Sequence, residues 1–134
     1  MYEYLQAEDV IVIHEYAIKR YGGLPGLNPK EGMHCVKAKC YLPQQSFSGE
    51  DPYPTIAEKA AVYMYYFTIG HCFLDGNKRI GYLTASTFLN LNGYEIVVSD
   101  EELYRMSMSI GNDKARASLE EVVHWMKKYM KKIA

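Results

Sequence analysis

Nine consecutive residues concentrate most of the chemistry this chain could carry: His71-Cys72-Phe73-Leu74-Asp75-Gly76-Asn77-Lys78-Arg79. An imidazole, a carboxylate, a glycine and two cations stand together, and helical periodicity resumes directly after them. A helix N-terminus presents unpaired N–H groups and a partial positive charge, so a loop such as Asp75-Gly76-Asn77 entering one can wrap an anion. Gly76 removes the side chain that would block close approach, and Lys78 and Arg79 add formal charge at the same place. An arginine fork and a lysine point charge match phosphoryl oxygens, and pre-placed cations and N–H donors stabilise the charge that grows on them. The chemistry expected is transfer of a phosphoryl or nucleotidyl group.

Within that scheme Asp75 is the expected metal ligand. A bare phosphate would repel it, whereas Mg²⁺ is usually held by one or two carboxylates together with phosphate oxygens. His71 is the expected general base, because an imidazole titrates near neutral pH and can take a proton from a hydroxyl. Phe73 alternates with His71 and Asp75 and should point the other way, anchoring the loop in the core. Singly, a histidine near a helix start or an Asp-Gly-Asn turn is an ordinary structural feature. The combination carries the reading.

Helices must position this loop. The steps of Val10, Ile13, His14, Ala17, Ile18 and Tyr21 predict a first helix over about Glu8 to Tyr21, stopped by Gly22-Gly23. A second, poorly patterned one covers Lys30 to Tyr41. A third opens at Pro54-Thr55 on the capping box of Thr55 with Glu58 and runs to Ile69, apolar on most of its circumference and therefore central. A fourth spans about Asn77 to Leu91, with inward rows Ile80, Thr84, Phe88 and Leu83, Thr87, Leu91. Capping boxes of Ser99 with Glu102 and Ser118 with Glu121 open a fifth helix, Asp100 to about Ile110, and a sixth, Leu119 to about Lys132. Tyr94 to Val98 alone has strand character, too little for a sheet. The expectation is an all-α single domain over 1–134, a compact bundle of about six helices with the active loop between the third and fourth.

The whole chain excludes several classes. With 134 residues, 49% of them hydrophobic, it is long enough to bury a core without staples. Lys plus Arg (15) nearly balances Asp plus Glu (16), so no broad basic surface invites nucleic acid. No membrane span and no secretory leader are read, which makes a cytoplasmic location the default. Three cysteines, Cys35, Cys40 and Cys72, form no CxxC pair and suit free thiols in a reducing compartment. His34 with Cys35 and Cys40 matches no usual zinc spacing. Lys127, Lys128, Lys131 and Lys132 suit the dipole at the end of the last helix.

Taken together the nine residues resemble the Fic superfamily signature HxFx(D/E)GN(G/K)R, and the chain is similar to the death-on-curing (Doc) branch, the toxin half of bacterial toxin-antitoxin pairs. Further blocks in the family's order are Ile13-His14 to Gly23, Pro43 to Phe47 with Gly49-Glu50-Asp51 and Tyr53-Pro54-Thr55, Ala57 to Ala60, and Phe88-Leu89 through Tyr94. The resemblance implies a Fic-type helical fold, with His71 deprotonating a target hydroxyl, Asp75 binding Mg²⁺, and Gly76, Asn77, Lys78 and Arg79 holding ATP phosphates. It also implies that the segment Gln44 to Tyr53 forms a flap for an extended target peptide.

Lys78 separates two reactions. Fic proteins that transfer AMP generally have glycine there and a second arginine where this chain has Tyr82. In the Doc branch the lysine accompanies a reversed nucleotide whose γ-phosphate faces the histidine. The resemblance therefore implies a protein kinase, with a threonine of elongation factor Tu as target and arrest of translation as the result. AMP transfer to a protein hydroxyl is the alternative, and a catalytically inactive nucleotide- or partner-binding domain the second. The inhibitory (S/T)xxxE(G/N) motif of many Fic proteins is approached only by Ser46 to Glu50, without the arginine it would pair with. Control is expected from a separate antitoxin.

Overall fold

The computed structural model describes all residues from Met1 to Ala134. Six helices follow in chain order: α1 (Ala7–Tyr21), α2 (Gly32–Tyr41), α3 (Ile56–Ile69), α4 (Asn77–Leu91), α5 (Asp100–Gly111) and α6 (Leu119–Tyr129). A 3-10 turn, Leu42–Gln44, closes α2. The mostly helical reading holds, with the His71 to Arg79 segment joining the third helix to the fourth. None of the helices is long and apolar enough to cross a membrane.

α3 is the axis of the molecule. Thr55 Oγ1 accepts from the Glu58 N–H at 3.2 Å, and the Glu58 carboxylate accepts from the Thr55 N–H and hydroxyl, so the expected capping box starts the helix. Ala60, Ala61, Val62, Tyr63, Met64 and Phe67 are then completely buried, against α4 on one side and α6 on another. Lys59 is buried in the same helix. Its ammonium donates to the Pro43 carbonyl at 2.7 Å and to Asp51, above the Tyr4 ring. A buried ammonium without such partners would be costly; here it ties both ends of the Pro43 to Asp51 segment to the core. Between them Phe47 and Glu50 pair as an antiparallel bridge with Phe47 exposed.

α4 crosses α3 at Gly81. A methyl group there would lie 2.7 Å from the Met64 carbonyl oxygen and collide with the Thr68 hydroxyl. Neither can yield, because one is backbone and the Thr68 hydroxyl already donates to Met64 O at 2.6 Å. Alanine inside a helix ordinarily gains about 1 kcal/mol over glycine, but overpacking costs up to about 3 kcal/mol. Gly81→Ala is expected to lose about 2 kcal/mol net in a denaturant titration. A gain would contradict the close crossing.

Several boundaries and partners differ from the sequence reading. α2 begins at Gly32, not Lys30, because Asn28 Oδ1 accepts the Lys30 N–H at 3.0 Å and Asn28 O the Gly32 N–H at 3.0 Å, closing a turn first. On α4 the row Ile80, Thr84, Phe88 is buried together with Ala85 and Leu89, while Leu91 is exposed and Leu83 and Thr87 are half-buried. Ser99 caps α5 through the Glu102 N–H at 3.1 Å, yet no reciprocal bond forms. The Glu102 carboxylate instead accepts from Arg105 and from Trp125 Nε1 at 2.8 Å. Those bonds, Arg105 first, hold its pKa down to about 2.

The last helix ends three residues earlier than expected, at Tyr129. Met130–Lys132 (β2) pairs antiparallel with Tyr94–Ile96 (β1), in the register Tyr94 to Lys132, Glu95 to Lys131 and Ile96 to Met130. The strand read as isolated therefore finds its partner across the chain. Leaving the helix lets residues 130–132 satisfy the backbone groups of Tyr94–Ile96, and it sets Lys131 opposite Glu95, a favourable cross-strand pair.

Candidate active site

The loop between α3 and α4 is held in shape by its backbone. Phe73 pairs with Leu27 as an antiparallel bridge, the Asn28 N–H donates to Cys72 O at 2.9 Å, and the Leu74 N–H donates to Gly26 O at 3.1 Å. The Phe73 ring is buried and stacks on the imidazole of His14, with centroids 3.8 Å apart. The expected anchor is thus present, and its contact in the core is the buried His14. The same imidazole bonds through Nε2 to the Asp75 carbonyl at 2.8 Å. His14 reads in the sequence as one more residue on the inner face of the first helix; its role in positioning the loop depends on a partner 61 residues away.

His71 stands in the left-handed region, φ 51°, and its carbonyl accepts from Asn28 Nδ2 at 3.2 Å. A non-glycine residue there costs backbone energy and persists because the surroundings impose it. Its side chain is exposed at the mouth of a cleft. Next to it Cys72 is fully buried and joined by a disulfide to Cys35 of α2, which corrects the expectation of three free thiols. Only Cys40 is free, and burial raises its thiol pKa to about 12.

Asp75 accepts from two backbone donors, the Gly76 N–H at 2.8 Å and the Leu24 N–H at 3.1 Å. Those bonds, Leu24 first, keep its carboxyl below the usual carboxylate range. The folded-state pKa lies below the unfolded one, so the tether is fully present above the ordinary carboxylate pKa and is lost as pH falls through the lowered value. Protection of the Leu24 amide, its exchange rate relative to the intrinsic rate at each pH, is accordingly expected to hold down to about pH 4 and to fall below it. A Leu24 amide already unprotected at neutral pH would contradict the tether.

Gly76 caps α4 in the left-handed conformation, φ 74°, and the first intrahelical bond is that of the Ile80 N–H to Gly76 O at 2.9 Å. The N–H groups of Asn77, Lys78 and Arg79 precede it and have no carbonyl inside the helix to bond. The amide side chain of Asn77 is used elsewhere: it donates to Phe73 O at 3.0 Å and accepts from the Phe73 N–H at 3.2 Å. With its amide bonded to Phe73, what Asn77 offers an anion is its backbone N–H, in keeping with a loop that wraps the anion through backbone donors. The Arg79 guanidinium lies over the Tyr21 ring, 4.5 Å from its centroid, a cation–π contact that fixes its plane.

All six residues picked out in the sequence, His71, Asp75, Gly76, Asn77, Lys78 and Arg79, line one cleft of about 340 Å³. Gly111 and Arg116, from the end of α5 and the loop after it, line it too and carry no local signal that would have marked them. A single exposed carboxylate on the edge of an anion-binding cleft fits a Mg²⁺ that takes its other ligands from phosphates and water. A second cavity, of about 450 Å³, shares Lys78 and Arg79 but not His71 and is walled by Tyr21, Tyr82, Leu83, Leu103, Tyr104 and Met108. Tyr82 is half-buried there, and burial raises its phenol pKa.

A helix N-terminus that presents a histidine, one carboxylate and adjoining cations around an anion-sized cleft is the arrangement of the Fic-type transferases. The model of the Fic/DOC family matches residues 4–89, which include the whole of the loop, and the chain belongs to that family, on its Doc branch. It is 33% identical over 96 residues to the Toxin Doc of Mycolicibacterium smegmatis, covering 72% of this chain and 69% of that protein. It is 30% identical over 98 residues to the Protein kinase doc of Escherichia phage P1, covering 73% and 75%.

Proposed function

We infer that residues 1–134 act as one Doc-type toxin domain, a protein kinase that moves the γ-phosphate of ATP to a hydroxyl of a protein target, a threonine of elongation factor Tu by family likeness. Arrest of translation in the bacterial cytoplasm would follow. The observation that carries this reading is Lys78. It supplies an ammonium between the two cavities where AMP-transferring relatives have glycine, and the position of their second arginine is occupied by the half-buried Tyr82.

The two cavities support this polarity of the nucleotide. The tyrosine-lined one suits a nucleoside and lacks His71, while the polar cleft holds both His71 and the N-terminus of α4. A nucleotide lying across Lys78 and Arg79 then brings its outer phosphate to His71. Bound at Asp75, Mg²⁺ would neutralise phosphate charge and orient the polyphosphate. His71 takes the proton of the target hydroxyl as that oxygen bonds to the γ-phosphorus; the bond from phosphorus to the β,γ-bridging oxygen breaks, and ADP leaves. The N–H groups of Asn77, Lys78 and Arg79, with the two side-chain cations, stabilise the phosphoryl oxygens. Gly76 leaves room for their approach. The segment Gln44 to Tyr53, pinned by Lys59, offers the edge along which an extended target peptide would lie. A separate antitoxin would restrain the activity, as the Toxin Doc relative suggests.

The test uses ATP labelled at either the α or the γ phosphate, Mg²⁺ and a bacterial lysate. γ-label alone on a protein band, absent with His71→Ala, is the expected result. α-label would replace the kinase by an AMP transferase, and no label from either would leave a binding protein.

A further inference from the structure

Mg²⁺ at Asp75 would offset only part of the charge of a triphosphate, and the motif leaves the rest to Lys78 and Arg79. A triphosphate carries three to four negative charges, while Arg79 is partly committed to Tyr21 and the residue three positions on is tyrosine. We propose that Arg116, in the loop between α5 and α6, supplies the missing guanidinium and grips the outer phosphates of ATP from the wall facing the α4 N-terminus. This rests on the reading of the cleft as an ATP site.

Arg116 lines the same cleft as His71, Asp75 and Lys78. It is exposed and enters neither of the chain's two salt bridges, Lys59 with Asp51 and Arg105 with Glu102. Asp75 is the one carboxylate in the lining, set against Lys78, Arg79 and Arg116. That balance suits a polyphosphate better than a monophosphate. An arginine fork is the side chain best shaped to meet two phosphate oxygens at once.

The loop that carries Arg116 is stitched down on both sides. The Ala117 N–H donates to Ser109 O at 3.1 Å, its carbonyl accepts from the Tyr65 hydroxyl of α3 at 3.0 Å, and Ala117 itself is buried. Upstream, Asn112 accepts the Lys114 N–H on its side chain at 3.1 Å and the Ala115 N–H on its carbonyl at 3.3 Å. Arg116 is therefore an exposed side chain on a fixed backbone, and little loop entropy is lost when it engages an anion. Gly111 opens the same wall. A methyl group there would sit 2.6 Å from Lys78 Cε, so the glycine lets the Lys78 chain lie across the end of α5 and into the cleft beside Arg116. Both residues lie beyond residue 89, where the family match ends.

The test is calorimetric titration of the full chain with Mg·ATP and with AMP, for the wild type, Arg116→Ala and Arg116→Lys. Arg116→Ala should weaken Mg·ATP about tenfold or more, leave AMP affinity unchanged and keep the wild-type melting temperature. Arg116→Lys should recover part of the loss, and in the transfer assay the effect should fall on KM for ATP more than on kcat. Unchanged Mg·ATP affinity in Arg116→Ala, an equal loss for AMP and ATP, or a wild type that binds neither would overturn the proposal. Transfer of α-label would sink the kinase reading while a selective loss of ATP affinity still stood. Transfer of γ-label with unaltered ATP affinity in Arg116→Ala would do the reverse.

Discussion

Replacing His71 with alanine is expected to lower group transfer by about 10²- to 10⁴-fold, the range a positioned general base contributes, while Mg·ATP still binds. The separation follows from where the residue sits. Its side chain is exposed in the cleft and takes no part in the bonds that shape the loop, which run through Phe73, Asn77, Asp75 and His14. The backbone at φ 51° is held by Asn28 and the paired strand-like segment before it. Alanine inherits that left-handed strain, so His71→Asn is the better companion variant, because asparagine tolerates the conformation. Equal losses in both variants assign the effect to the missing base. A full recovery in His71→Asn would assign it to the backbone.

Reduction of the Cys35 to Cys72 disulfide carries the largest expected effect on stability. Removing a cross-link that closes a loop over a sequence separation of 37 frees the unfolded chain by about 3 to 4 kcal/mol on the loop-entropy model. Denaturant unfolding with and without dithiothreitol measures it, and Cys35→Ala should reproduce the reduced midpoint in the absence of reductant. Cys40→Ser should respond to dithiothreitol as the wild type does, since Cys40 has no partner. An oxidised wild type that is no more stable than the reduced chain would contradict the cross-link. In a reducing cytoplasm the pair would be two thiols, so the reduced arm of this measurement describes the protein at its proposed place of action. There the bonds of Asn28, Leu74, His14 and Asn77 hold the loop.

The contrast between these residues shows which parts of the molecule were legible in one dimension. The start of α3 rests on Thr55 and Glu58, three apart, and the start of α4 on Gly76 and the residues beside it; local physics decides such boundaries, so both are legible in the sequence. The all-helical class followed from the same kind of signal. Cys35 and Cys72 meet because α2 folds back onto the loop after α3, and no spacing rule anticipates that. Met130 to Lys132 continue a helical pattern, yet their backbone is claimed by Tyr94 to Ile96, a tertiary override of local propensity. Glu102 has the spacing of a capping box, but Arg105 and Trp125 take its carboxylate.

The site divides in the same way. His71 to Arg79 are contiguous, so their types and order were enough to collect them, and all six named residues meet in one cleft. The sequence places Asn77 at the helix start but not the group it has free, because only the fold reveals that Phe73 occupies its amide. His14 and Arg116 lie far from the loop in sequence and join it through the packing of α1 and the stitching of Ala117. A buried histidine on an amphipathic helix and a lone arginine in a polar loop look ordinary until their neighbours are known.

The most direct test of the account is the intact mass of purified elongation factor Tu after incubation with this protein, ATP and Mg²⁺. A gain of one phosphate group, mapped to a threonine and absent with His71→Ala, is the result predicted. A gain of one AMP moiety, or an unmodified factor beside a different labelled protein in the lysate, would contradict it.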